Sequence, residues 1–269
     1  MIKASQGSLP PVTESRTARQ ADTRAFYLDL MKKTVANFIY GDPTTNPGGI
    51  RPFDEEMRKT GKGWPRDAHT MIGLMRLDNI QRCFETIVED DIPGDLIETG
   101  VWRGGACIFM RALLKAYGED ERKVWLADSF QGLPRPNSLT YPADADDRLF
   151  EEDELSVSVE QVKANLQRYG LLDDQVQFLP GWFKDTLPQA PIQQLSMLRL
   201  DGDLYESTIN ALDHLYPKLS AGGFCIIDDY NVLLACRSAV HDYRDRFNIT
   251  ETIEQIDFSA VYWRKGKEQ

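Results

Sequence analysis

The chain has 269 residues, with 31 Lys and Arg against 42 Asp and Glu and a formal net charge of -11 at pH 7. A charge of that sign repels nucleic-acid phosphates, and no apolar run approaches the roughly 20 residues of a membrane helix, so neither nucleic acid nor membrane is an expected partner. The length suits one α/β catalytic unit with an added helical segment, and an opening stretch without the apolar centre of a secretory signal leads us to expect a cytoplasmic protein.

Residues 1–20 are polar, carry the Pro10-Pro11 pair and show no hydrophobic period, which predicts a flexible tail. Residues 21–90 read as a helical segment. A first helix is expected over about 23–40, with Phe26, Leu28, Leu30, Val35 and Phe38 among its apolar positions, then a Gly/Pro-rich loop, GDPTTNPGGIRP. A second is expected over 74–88, where Leu74, Leu77, Ile80 and Phe84 recur at three- and four-residue steps. Together they are expected to form a lid that selects the substrate and gains order on binding.

From Asp91 onward short apolar strands alternate with amphipathic helices, the βαβ pattern of an α/β fold with a doubly wound, mostly parallel, seven-stranded sheet. Strands are predicted at 95–99, 123–128, 175–180, 196–201, 222–229, 249–255 and 260–265, and helices at 105–117, 158–169, 205–218 and 233–246. Ser158 and Gln161 form a capping box that starts the second of these helices. The last two strands lack a helix between them and should pair as an antiparallel edge hairpin. The acidic stretch 138–156 is either a solvated loop or a flap over the carboxyl ends of the strands. Cys83, Cys107, Cys225 and Cys236 contain no C-x-x-C pair and read as free thiols of a reducing compartment, while His69, His214 and His241 lack metal-ligand spacing.

The first strand ends in Glu98-Thr99-Gly100-Val101-Trp102-Arg103-Gly104-Gly105 and runs into a helix whose free amides can meet an anion. Trp102 stands where a dinucleotide turn needs its second glycine, which disfavours NAD. Asp128 ends the second strand, where a carboxylate can accept from both ribose hydroxyls, and Ser129 and Gly132 follow. Gly181 beside Trp182 after the third strand could form an adenine slot, core packing being the alternative for Trp182. Asp201 and Asp203 end the fourth strand and Asp228 and Asp229 the fifth, so four carboxylates should converge in one crevice, where a hard divalent cation would relieve their repulsion. The alternative is that Asp201, Asp203 and Asp229 are helix N-caps.

With these residues in view, residues 70–265 resemble the macrocin O-methyltransferase family through Thr70-Met71-Ile72-Gly73 with Arg76-Leu77-Asp78-Asn79, then ETGVWRGG, ADSFQGLP, RYGLLDDQVQFLPGWFKDTLP, RLDGDLYEST and IIDDY. The resemblance implies a Rossmann-like class I methyltransferase fold with S-adenosylmethionine (SAM) along the first three strand ends. The residues it places there are Thr70 and Met71 of a lid segment, Glu98, Thr99, Gly100, Val101, Trp102, Arg103, Asp128, Ser129, Gly132, Gly181, Trp182 and Asp201. It further implies a magnesium ion at Asp201, Asp228 and Asp229, Asp203 as general base, and as acceptor a sugar hydroxyl, one of a vicinal diol, on a small glycosylated natural product. Catechol-type relatives place a lysine after the fourth strand; Asp201-Gly202-Asp203-Leu204-Tyr205-Glu206 offers none, which favours a carboxylate base. The first 69 residues match the family only in general character and are where acceptor choice is expected to reside. A metal-dependent hydrolase and a non-catalytic nucleotide-binding scaffold are the rival readings, and the oligomeric state, homo-oligomer or monomer, stays open.

Overall fold

A computed structural model describes residues 12–46 and 48–266, and for 12–19 the backbone alone. Its centre is a seven-stranded sheet in the order β5-β4-β3-β6-β7-β9-β8, with β3 (Asp95–Thr99), β4 (Val124–Asp128), β5 (Val176–Pro180), β6 (Leu195–Leu200) and β7 (Leu219–Ile227) parallel. The strands β8 (Glu254–Gln255) and β9 (Val261–Arg264) are the expected antiparallel edge hairpin, β9 lying against β7. Strand order reverses between β3 and β6, so a crevice opens at their carboxyl ends.

Both sheet faces are covered, so β3, β4 and β6 are buried along nearly their whole length. Leu96, Leu126, Met197 and Ile226 face a core shared with α3 (Gly73–Glu89), α4 (Gly105–Tyr117) and α5 (Val159–Arg168). Ile97, Ala127, Leu198 and Ile227, one residue on, face α7 (Tyr205–Leu215) and α8 (Leu234–Arg246). Ser158 caps α5 as expected, its hydroxyl accepting from the Gln161 amide at 3.2 Å.

The N-terminal segment departs from its expected form. Helix α1 spans Val12–Val35, so the backbone of residues 12–20 is helical where a tail was expected; the rest of that expectation, residues 1–11, lies outside the described residues. Leu28, Met31 and Val35 form the buried stripe, at i, i+3 and i+7, and pack into the same core as α4. Phe26 and Leu30, counted among the apolar positions of that helix, fall off the stripe and are 68% and 43% exposed.

The Gly/Pro-rich loop holds more structure than its composition suggests. β1 (Thr44–Asn46) pairs with β2 (Trp64–Pro65), and a short helix α2 (Glu55–Thr60) lies between them, capped by Asp54. Asp42, 5% exposed, organises this region: its carboxylate accepts from Arg58 at 2.6 Å, Asn37 at 2.8 Å and the amides of Asp67 and Ala68. Burial opposes ionisation of Asp42, but these donors prevail and hold its carboxyl below the usual range. A buried pair fixed this well ties residues 36–68 to the core. We therefore expect hydrogen exchange without ligands to protect residues 28–36 as strongly as α4, with ligand-dependent ordering confined to 45–53 and 149–156. Ordering across all of 20–90 on binding would restore the mobile lid.

The acidic stretch is exposed along most of its length but anchored at a few points. It forms short 3-10 turns at Pro142–Asp144, Leu149–Glu151 and Asp153–Leu155. The buried Asp144 carboxylate accepts from the amides of Tyr205 at 2.6 Å and Glu206 at 3.0 Å, capping α7. Leu149 and Leu155 reach the crevice, the Trp102 indole donates to the Glu154 carbonyl at 2.8 Å, and Thr45 binds the Glu154 carboxylate.

Candidate active site

The crevice is a cavity of about 350 Å³ whose wall runs from the β3, β4 and β6 ends to residues 61–76 and the 258–259 turn. Its floor depends on glycine at one position: Gly100 has φ +84, and a Cβ there would lie 1.6 Å from the Asp201 carbonyl oxygen. No side chain fits, so the β3–α4 turn crosses the end of β6 in contact. Trp102, Phe130 and Asp203 also adopt positive φ, of 48°, 56° and 59°, so three non-glycine residues at strand ends are held in the left-handed region around one cavity.

Most residues expected at the cofactor line this cavity: Thr70, Met71, Glu98, Gly100, Val101, Trp102, Asp128, Ser129, Gly132, Trp182 and Asp201. Thr99, Arg103 and Gly181 do not. Thr99 is fully buried beneath the turn, and Gly181 ends β5 with its amide on the Asp128 carbonyl. Arg103 points away, donating to the carbonyls of Pro65, Arg66 and Ala68, and so clamps the segment leading to Thr70. Asp128 accepts from the Val101 amide at 2.6 Å and the Phe130 amide at 2.7 Å, one on each oxygen, so it fixes both turns and keeps lone pairs for a ligand. His69 lines the cavity with Nδ1 2.7 Å from the Tyr169 hydroxyl, and burial lowers its pKa.

At the opposite end the carboxylates converge. One oxygen each from Asp201, Asp228 and Asp229 lies within 4.8 Å of the others, and Asp203 lines the same wall. The alternative of helix capping fails on geometry: α7 and α8 start at Leu204 and Leu233 without side-chain caps, and Asp144 occupies the start of α7. Burial, reinforced by the charge of Asp228, pushes the Asp201 carboxyl up to about 6; burial and the neighbouring aspartates drive Asp203 and Asp229 well above the usual range. Asp229 Oδ2 is buried and has no hydrogen-bond partner.

The sequence reading missed the cations beneath this cluster. Arg199, fully buried within β6, stands opposite Glu98 in the β3–β6 register and donates to Glu98, to Asp201 at 2.8 Å and to Asp228. Arg76 of α3 reaches the second oxygen of Asp228 and binds Asp257 at 2.8 Å. Glu98 is thereby part of the support: one oxygen takes Arg199, the other the Cys107 thiol at 2.8 Å, and burial raises its carboxyl to about 7 against the pull of Arg199. The available signal was a charged residue inside a strand otherwise buried and apolar, which must have counter-charges beside it.

A mostly parallel sheet of this order, with a glycine turn, a carboxylate at the next strand end and aspartates at the switch point of one cavity, defines a class I methyltransferase. The solved structure of the O-methyltransferase NovP shares it, with a TM-score of 0.87 at 49% identity over 91% of this chain and 100% of that one. The chain belongs to the macrocin O-methyltransferase (TylF) family, whose model matches residues 24–265. It is 56% identical to the 8-demethyl-8-(2,3-dimethoxy-alpha-L-rhamnosyl)-tetracenomycin-C 4'-O-methyltransferase of Streptomyces olivaceus, over 90% of this chain and 94% of that protein. It is 55% identical to the mycinamicin III 3''-O-methyltransferase of Micromonospora griseorubida, over 89% and 96%. The chain is an SAM-dependent O-methyltransferase, which sets aside the hydrolase and scaffold readings. Among the described residues, no helix is long and apolar enough to cross a membrane.

Proposed function

We propose that the enzyme methylates a hydroxyl of a vicinal diol on a sugar carried by a small natural product, and that it does so with magnesium. The observation that carries the metal is the donor set itself: Asp201, Asp228 and Asp229 each bring a carboxylate oxygen within 4.8 Å of the others, and Asp229 has a buried Oδ2 without a hydrogen-bond partner. Hard oxygen donors of this number suit a hard divalent cation. Asp201, Asp228 and Asp229 would hold it, and when bound it would supply a Lewis acid that lowers the pKa of a sugar hydroxyl and fixes the diol.

The chain's own residues do the rest. The Gly100 turn and Asp128 bind the cofactor's charged and ribose portions, Trp182 borders its base, and Leu149 and Leu155 help exclude water. Asp203, its carboxyl raised by burial and by Asp201 and Asp228, takes the proton of the acceptor hydroxyl. The cavity residues Lys62 and Trp64, from the N-terminal segment, shape the acceptor side. The sugar is proposed because the tetracenomycin relative is named as the 4'-O-methyltransferase of a rhamnosyl compound.

Asp128→Ala should weaken SAM binding by about 1.5–3 kcal/mol through lost charge-assisted acceptance. Because Asp128 also holds the Val101 and Phe130 amides, Asp128→Asn should lose less. Calorimetry with SAM decides; unchanged affinity in a folded Asp128→Ala variant would remove Asp128 from the cofactor site. For the function as a whole, labelled SAM, magnesium and a panel of glycosides should yield a product whose mass spectrum places the methyl on the sugar. A label found only on the aglycone would refute the sugar reading.

A further inference from the structure

Beyond the aspartates the cavity wall becomes apolar and exposed in a way that methyl transfer to a hydroxyl does not itself call for. Phe258 and Val232 both line the cavity that contains Asp228 and Asp229, yet they are 39% and 48% exposed. Their placement is built. Asp257, itself 6% exposed, accepts from the Ser259 amide at 2.9 Å and the Ala260 amide at 2.8 Å on one oxygen and from Arg76 on the other. That turn holds the Phe258 ring outward between two cations, with the Arg76 guanidinium 5.4 Å and the Lys62 ammonium 5.5 Å from its centroid. The loop carrying Val232 is tied to the same turn through the Asn231 amide on the Ser259 carbonyl at 2.9 Å, and the Ser259 hydroxyl binds the Asp228 carbonyl at 2.6 Å.

Two apolar side chains are thus fixed beside the metal-binding carboxylates, at a mouth where water gains nothing from them. The C–H face of a sugar ring could cover one aromatic side chain, whereas an apolar body joined to that sugar would cover Phe258 and Val232 together while the diol sits on the aspartates. We infer that Phe258 and Val232 form an apolar platform for the aglycone of the glycosylated acceptor and determine its selection. This rests on the sugar reading given above and adds where the remainder of the acceptor lies. The platform is continuous with the acceptor end of the cavity, and the four aspartates at that end disfavour an anionic occupant.

The test compares methyl α-L-rhamnoside with 2-naphthyl α-L-rhamnoside, rhamnose being the sugar in the name of the tetracenomycin relative. Binding is measured by calorimetry with S-adenosylhomocysteine and magnesium present, and transfer is measured with labelled SAM. Wild type should bind the naphthyl glycoside at least about tenfold more tightly, the scale expected from covering roughly half an aromatic side chain. In Phe258→Ala/Val232→Ser the advantage should shrink to about threefold or less, and Phe258→Leu should keep most of it. S-adenosylhomocysteine affinity should match across the three proteins, which shows that they are folded. Equal affinity for the two glycosides in wild type, binding of neither, or an advantage that survives in the double variant overturns the platform. If the affinity pattern appears as expected but neither glycoside is methylated, the platform stands and the sugar reading fails.

Discussion

Asp203→Asn should lower turnover by about 10²–10⁴-fold while leaving divalent-cation affinity nearly unchanged, because this residue is assigned to accept a proton rather than to hold the metal. Its backbone at φ +59 should survive the change, since asparagine tolerates the left-handed region as aspartate does. Asp201→Asn, Asp228→Asn and Asp229→Asn should behave differently: each removes a negative donor from a hard cation, so activity should fall and return in part as magnesium is raised. SAM binding should persist in all four, with a modest loss in Asp201→Asn, because Asp201 borders both ends of the cavity. Turnover against magnesium concentration for each variant separates the two groups. Rescue of Asp203→Asn to the same degree as the others would make Asp203 a ligand and leave His69, also on the cavity wall, as the next candidate base.

Arg199→Met should destabilise the protein by about 3–5 kcal/mol, the cost of leaving buried charge without its partner. Arg199 is 0% exposed and donates to Glu98, Asp201 and Asp228, so its loss leaves Glu98 and Asp201 without a guanidinium partner and Asp228 with Arg76 alone. If magnesium binds the folded site as proposed, it should raise the melting temperature of Arg199→Met. Denaturant unfolding measures the loss. A change below about 1 kcal/mol would mean that the carboxylates are neutral in the folded protein and that Arg199 carries little of the site.

The parallel sheet was legible because its strands are short, apolar at their centres and followed by a glycine or aspartate, and all but the strand at 175–180 lead on to a helical period; ladders and faces then follow from alternation. The Asp201, Asp203, Asp228 and Asp229 convergence was legible for the same reason, since strands adjacent in a doubly wound sheet end in the same crevice. What was not legible depends on contacts far apart in sequence. The stretch from Gly41 to Pro52 reads as loop on composition, and only the Asp42–Arg58 pair and the Asp67 amide give it a fixed form. Asp144 looks like one more solvated acid until α7 presents its first amides to it. Arg199 sits in an apolar strand whose partners come from β3 and the ends of β6 and β7, so its role appears only once those strands are in register. Phe258 has no periodic signal; its exposure follows from the turn that Asp257 and Arg76 hold.

The aspartate cluster is proposed to hold a divalent cation on which methyl transfer depends. The most direct measurement is transfer from labelled SAM to an accepted glycoside by the EDTA-treated enzyme, before and after magnesium is restored. The account predicts that transfer is lost on chelation and returns with magnesium, while SAM binding persists throughout; full turnover by the chelated enzyme would contradict it.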